Sequence, residues 1–254
     1  MNVVEQIPQR GVIWSGSAQA SVRPWAGRPS RAFLIITGSH SPDTELPGPE
    51  ILGQWLATLS RWGYGSVRTS AMSPQSALSL EEVGFSPAQQ LQLLRVKHLT
   101  RPQFDIPRDI APQRIRRARA RIRSSVMTEI LEIDRLAFGD EWHLDRETLH
   151  EALKATRHVR LLVSRRHGEL EGFVLVGTTG TTGFIQRLAV HPDARRSGVA
   201  SRLIASAVEW SFRRGCTNTV VNTETNNLAA LSLYRSIGFT EMKQGLTVLE
   251  KTLS

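Results

Sequence analysis

The stretch Leu188 to Ala200, LAVHPDARRSGVA, constrains this chain more than any other. An apolar, strand-like run ends at His191-Pro192, and Arg195-Arg196-Ser197-Gly198-Val199-Ala200 then leads at once into an amphipathic helix. A tight turn at such a junction leaves backbone N–H groups at a helix N-terminus, where unsatisfied donors and the helix dipole favour a phosphate-bearing ligand. Gly198 lets the backbone approach that ligand, and Ala200 keeps the first turn open. The expected cradle is the set of backbone N–H groups from Arg196 to Ser201. The side chains of Arg195 and Arg196 either add charge there or point to solvent. The alternative is a plain strand–turn–helix in which Gly198 serves only the turn.

The elements around this loop follow a definite order. Val126, Ile130, Leu131, Ile133 and Leu136 recur at helical spacing. Asp140-Glu141-Trp142 reads as a loop, and a second helix capped by Asp145 runs to Leu153. Strands are expected over 159–164 and 170–176, with a Gly-Thr turn over 177–183 and a third strand from Phe184 to Val190. A helix over 201–214 buries Leu203, Ile204, Ala207, Val208 and Phe212 on one face. A strand at 219–221, a helix from Asn227 to Ser236 and a strand at 246–253 complete an α+β domain with a mixed, mostly antiparallel sheet and flanking helices.

The first half repeats part of this order. A strand at 32–37, a helix at 49–62, a strand at 64–69, a short helix into Val83-Gly84-Phe85 and a strand at 91–96 are expected. Val83-Gly84-Phe85 matches Ile237-Gly238-Phe239 at a nearly constant offset, which points to an internal duplication. Too few residues precede Ala32 for the opening helices and first strands of a complete copy. The connection His40 to Gly48 also lacks the Arg-x-x-Gly-x-Ala spacing. The expected division is therefore a partial, degenerate copy over 1–103, a proline-bearing linker over 104–112 and a complete domain over 113–254.

Charge matters through its location. The net charge is +9, yet residues 104–123 alone carry seven arginines against two aspartates, and residues 124–254 are nearly neutral. In Arg114 to Arg123, apolar residues and arginines alternate like a half-exposed strand. An arm for RNA or another polyanion is the other reading, weakened by the lack of aromatic residues for base stacking. No run approaches the roughly 20 apolar residues of a membrane span. The first residues show no basic-then-apolar leader, and the single cysteine, Cys216, fits a reducing cytoplasm as a buried filler.

Two motifs, Arg195-x-x-Gly198-x-Ala200 and Asn227-x-x-Ala230-x-x-x-Tyr234-x-x-x-Gly238-Phe239, resemble those of the GNAT acyltransferase superfamily. The resemblance covers about residues 113–254. It is closest to the ribosomal-protein alanine N-acetyltransferases, while the tandem layout and the Thr223 to Asn227 turn are similar to mycothiol synthase. It implies acetyl-CoA as acyl donor, no metal, and a pyrophosphate held at 195–201. Residues Leu188, Ala189 and Val190 would pair with the pantetheine arm, and an N–H near Val190 would polarise the thioester carbonyl. Asn227 would hydrogen-bond the arm, or else simply cap its helix. Tyr234 would protonate the departing thiolate, or else be a buried aromatic. The family's glutamate base is replaced at the matching position by Asn222, an amide. Glu224, two residues on, could serve directly or through water, and Glu141 is a further option.

The function implied is transfer of an acetyl group to a primary amine: a protein N-terminus, a lysine or a small molecule. Two other classes stay open: an acyl-CoA-binding sensor or scaffold without turnover, and a ribosome- or nucleic-acid-associated protein using Arg114 to Arg123. The acceptor and the oligomeric state lie beyond these motifs.

Overall fold

A computed structural model describes residues 9–16, 18–25, 28–37, 46–98, 110–113 and 123–253. The chain divides into two compact units whose segments interleave in sequence. The first takes Met1–Leu93, Glu224–Asn226 and Met242–Ser254; the second takes Leu94–Thr223 and Asn227–Glu241.

In the first unit, β1 (Gly11–Ser15) and β2 (Ala18–Trp25) form a hairpin, and β2 pairs antiparallel with β3 (Arg28–Ile36). Helix α1 (Pro49–Arg61) crosses over to β4 (Ser66–Thr69), which lies parallel to β3. Helix α2 (Pro74–Glu81) leads into β5 (Ser86–Lys97). The C-terminal strand β12 (Leu246–Thr252) lies between β4 and β5 and is antiparallel to both. Ala20, Val22, Ala32, Leu34 and Ile36 form one sheet face and pack on Leu52, Trp55 and Leu59 of α1. Each such large apolar side chain contributes about 1.5–3 kcal/mol on burial. The opening strands that the first half was expected to lack are thus present. Their signal is weak because β1 buries only Ile13 in the core, while Val12 and Trp14 face solvent.

The second unit is built on β6 (Ile110–Gln113), β7 (His158–Arg166), β8 (Glu169–Thr179) and β9 (Thr182–Val190), joined antiparallel in that order. Helix α5 (Val199–Arg213) then crosses to β10 (Asn218–Glu224), parallel to β9. The end of β5, with Leu94 and Arg95, pairs with β11 (Thr240–Glu241). His98 N–H donates to Thr217 O at 2.8 Å, and its ring nitrogens meet Cys216 O and Thr219 Oγ1. Helices α5 and α6 (Leu228–Ser236) cover one sheet face through Leu203, Ile204, Val208 and Leu231. Helices α3 (Ser124–Trp142) and α4 (Arg146–Lys154) cover the other through Ile130, Ile133, Leu149 and Leu153.

Several expectations change. Ile110–Gln113 is an edge strand rather than the end of a linker, and proline is acceptable there because an edge leaves its missing N–H without cost. Residues 104–109 and Arg114 to Ile122 lie outside the described residues. The loop foreseen at 140–142 is carried by α3, which runs to Trp142 across a non-helical Gly139 (φ 70°). The turn between β8 and β9 shrinks to Gly180-Thr181, because Thr178 and Thr179 remain paired with Gly183 and Thr182. Asp145 caps α4 as foreseen, in a reciprocal box with Thr148. Cys216 is buried, and burial pushes its thiol pKa up, against a smaller opposing effect of Arg214. No helix among the described residues is long and apolar enough to cross a membrane.

Because Leu94 to His98 belong to the second unit, a fragment cut at the expected boundary (113–254) leaves an edge of β10 unpaired. That fragment should show no cooperative thermal transition by circular dichroism, whereas the full chain should melt sharply.

Candidate active site

Strand β9 organises the site. Leu175 pairs with Arg187 but Val176 with Ile185, so Gln186 is the extra residue of a β-bulge. On the other side, β10 pairs with β9 at only three positions, ending at Val220 with Phe184. Beyond that point β9 continues to Val190 without registered partners on β10, so the two strands separate.

The alternation of an antiparallel ladder fixes where the backbone of this free stretch points. His191 N–H donates to Glu171 O at 2.8 Å, so His191 and, two residues back, Ala189 bond toward β8. Leu188 and Val190 consequently turn their N–H and C=O groups away from β8, toward the side that β10 has left. The side chains of Leu188 and Val190 pack with Tyr234 and Val199 in one cluster, while the Ala189 methyl lies on the opposite face, against α3 and α4.

After β9 the chain turns tightly into α5. A 3₁₀ turn over Pro192–Ala194 is capped by His191, which makes this histidine a turn residue. Ser197 Oγ donates to Ala194 O at 2.7 Å. Arg196 and Gly198 both adopt left-handed backbone, at φ 63° and 80°. The first bond of α5 runs from Arg202 N–H to Gly198 O, so the N–H groups of Val199, Ala200 and Ser201 emerge from the helix N-terminus. Gly198 is the N-cap and supplies no side chain to satisfy them. Arg195, Arg196 and Ser197 are exposed, and Val199 is buried and anchors the turn. Arg202 Nη1 reaches back to Ser197 O at 2.9 Å. The crossover helix of the first unit is different: α1 starts with Pro49, which has no N–H, followed by Glu50. Residues 40–45 of its preceding connection lie outside the described residues.

Helix α6 carries the second motif. Asn227 is its N-cap, with Oδ1 accepting from Ala230 N–H at 3.1 Å. Tyr234 is 5% exposed, lies 5.6 Å from the Phe239 ring between centroids, and has its phenol pKa raised by burial. It therefore stays protonated at neutral pH. Asn222 is exposed on β10. Glu224 counts with the first unit, where it accepts a short hydrogen bond from Gln89 Nε2.

Two residues of this region carry no motif and were not anticipated. Arg187 donates through Nε and Nη2 to the two carboxylate oxygens of Asp134, both at 2.7 Å, and Asp134 is fully buried. Nη2 also donates to Trp142 O at 2.7 Å. The available signal was a charged residue set among apolar ones, Arg187 within Ile185 to Val190 and Asp134 between Ile133 and Leu136.

Comparison with known proteins fits this geometry. The model of the acetyltransferase (GNAT) family matches residues 127–239. The aminoglycoside N(6')-acetyltransferase type 1 of Acinetobacter haemolyticus is 30% identical over 122 residues, 45% of this chain and 84% of that enzyme. The chain belongs to the GNAT acetyltransferase family. The enzyme of the same description from Klebsiella aerogenes is 38% identical over 66 residues, 26% of this chain. That match spans 43% of the Klebsiella enzyme, and a match to an acetyltransferase of Sodalis glossinidius spans 64% of that protein, so both cover less than two thirds of these curated relatives. A tandem GNAT protein from the clavulanic acid biosynthesis pathway shares the fold at a TM-score of 0.61 and 13% identity, over 96% of this chain and 82% of its own. A GCN5-related N-acetyltransferase of Kribbella flavida does so at 0.61 and 15%, over 96% and 90%. This GNAT chain thus has an α+β fold with a mixed sheet and flanking helices.

Two predictions follow from the packing. A Cβ on Gly172 of β8 would fall 2.8 Å from Ala189 O and 3.2 Å from a Val199 methyl, so Gly172→Ala should cost about 1–3 kcal/mol in a denaturant melt. The chain's two tyrosines are both shifted upward: burial raises Tyr64 to about 12, opposed by Arg10 and Arg23, and burial raises Tyr234 as well. The folded state thus holds protons that the unfolded chain releases near pH 10, so this contribution is complete below pH 10 and is lost as pH climbs through the raised values. Ultraviolet titration should show no tyrosinate at pH 10 in the folded chain and an ordinary titration in urea.

Proposed function

We propose that this chain transfers an acetyl group from acetyl-CoA to a primary amine. The observation that carries the reading is the separation of β9 from β10, with outward backbone groups at Leu188 and Val190 leading into an open helix N-terminus at Gly198. An extended pantetheine arm can bond to that edge like an added strand. Its pyrophosphate can take the N–H groups of residues 196–201, where the dipole contributes roughly 0.3–1 kcal/mol. The fit is supported by the left-handed Gly198 and by the lack of a capping side chain there. Because Oδ1 of Asn227 is used by the cap, its Nδ2 is the end that meets the arm.

The amine nitrogen attacks the thioester carbonyl, whose oxygen is stabilised by the outward N–H at Val190. The C–N bond forms, the C–S bond breaks, and Tyr234 donates its phenolic proton to the thiolate. The attacking amine releases its proton to water, since Asn222, at the family's base position, is an amide. Holding both reactants on one sheet edge supplies much of the rate. The aminoglycoside-modifying relatives make an amino sugar a natural member of an acceptor panel, beside peptides with free N-termini.

The test is release of free CoA thiol from acetyl-CoA against such a panel. At least one amine should accelerate release, and Tyr234→Phe should slow it about 10²-fold or more while acetyl-CoA affinity stays within about twofold. Tight acetyl-CoA binding with no release against any amine would instead mark a sensor.

A further inference from the structure

Strand β1 ends the sheet of the first unit: among the described residues it pairs with β2 and with no other strand. Which of its backbone groups stay open follows from the next ladder. Thr37 N–H donates to Gln19 O at 2.9 Å, so Gln19 bonds toward β3 and its neighbour Ala20 bonds toward β1. Ala20 faces Ile13, and Gly11 and Ser15, two residues to either side of Ile13, share its orientation. Val12 and Trp14 therefore direct their N–H and C=O groups away from β2, to the open edge. The same two residues carry exposed apolar side chains, Val12 at 46% and Trp14 at 72%.

Sheets usually guard such an edge with a charge, a proline or a bulge. The edge strand of the second unit, β6, carries Pro112. Strand β1 has none of these devices: it reads Gly-Val-Ile-Trp-Ser, and its register with β2 runs without a shift over all five residues. An unguarded edge of this kind is a template for another strand.

The strand that fits it is a copy of itself. Antiparallel pairing about a two-fold axis at Ile13 sets Val12 opposite the second copy's Trp14, and Trp14 opposite the second copy's Val12. Each N–H of these residues then donates to the C=O across from it, so every outward group of Val12 and Trp14 is used. Each pair also joins an aromatic to a β-branched side chain, a favourable combination across strands. Moving the axis by one residue would set Arg10 or Gly16, outside β1, opposite one of them. Each copy has one such edge, so the pairing closes at two. We infer that β1 is a homodimer interface, joining two copies of this chain edge to edge through Val12 and Trp14 in the register centred on Ile13. The inference stands apart from acetyl transfer.

The test is the mass of the full chain by sedimentation velocity over a concentration series, with three variants. Val12→Pro removes an outward N–H and leaves the ladder with β2 intact. Trp14→Lys removes the aromatic side of the pair and sets a charge on the edge. Leu78→Lys, on α2, removes an exposed apolar side chain elsewhere in the unit as a control. The parent should double in mass as concentration rises. The first two variants should raise the concentration of half-assembly about tenfold or more, and the control should leave it unchanged. Register is read by cross-linking on a Cys216→Ser background. Under mild oxidation Ile13→Cys, which faces its own copy, should give a linked dimer, whereas Ser15→Cys, which faces Gly11, should not. Cross-linking at position 13 supports the interface should Val12→Pro fail to fold. A parent that stays monomeric at every concentration, or grows beyond a dimer, overturns the inference. So does a dimer that a folded Val12→Pro leaves intact, that Leu78→Lys weakens equally, or that cross-links through position 15 instead.

Discussion

Backbone hydrogen bonding is obligatory, and strand β9 is where this chain leaves part of it open. Parallel pairing with β10 ends at Phe184 and Val220, just before the bulge at Gln186. From there to Val190, every second residue directs a donor and an acceptor away from β8. Buried backbone groups without partners are costly, so a sheet seldom leaves such an edge unless something else completes it. The turn that follows raises the same question at the N-terminus of α5, where Gly198 caps without a side chain. Both sets of open groups lie in one continuous stretch, which is why the proposed function assigns them to a single extended, phosphate-bearing ligand.

The first unit has a crossover of the same kind with a different helix start. It has the same strand–helix–strand crossover, with β3 parallel to β4 and α1 between them. Pro49 removes a donor at the start of that helix and Glu50 places a negative charge in its first turn, both unfavourable for a phosphate. The two crossovers share their topology and differ in the electrostatics of the helix start.

On the opposite face of β9, Asp134 and Arg187 show the cost and use of a buried charge pair. Removing one partner would strand the other in the core at about 3–5 kcal/mol. The pair ties the end of α3 to the strand whose edge is open. The two faces of β9 therefore serve different purposes: an apolar one seats Val199 and Tyr234, and a charged one anchors Trp142.

The crossover around α5 was legible because its signals are local: an apolar run, a glycine requiring left-handed backbone, and a 3.6-residue periodicity. Asn227 and Tyr234 were singled out by the resemblance to the GNAT motif, and the structure puts the first at the N-cap of α6 and the second on that helix. The opening strands of the first unit were not, since β1 offers little more than Ile13 to the core. Arg187 and Asp134 stand far apart in the chain, and a charge in an apolar frame does not say which opposite charge it will meet. Glu224 was read as a neighbour of Asn222, yet its bond to Gln89 joins residues far apart in sequence, which strand spacing cannot reveal. The chain's sequence by itself determined the elements, their order and the phosphate-compatible turn, because these follow from steric and hydrogen-bonding preferences of adjacent residues. Only the tertiary structure decided where β10 leaves β9, which unit receives β12, and which carboxylate meets Arg187, because each of these is set by pairing between segments that sequence distance does not relate.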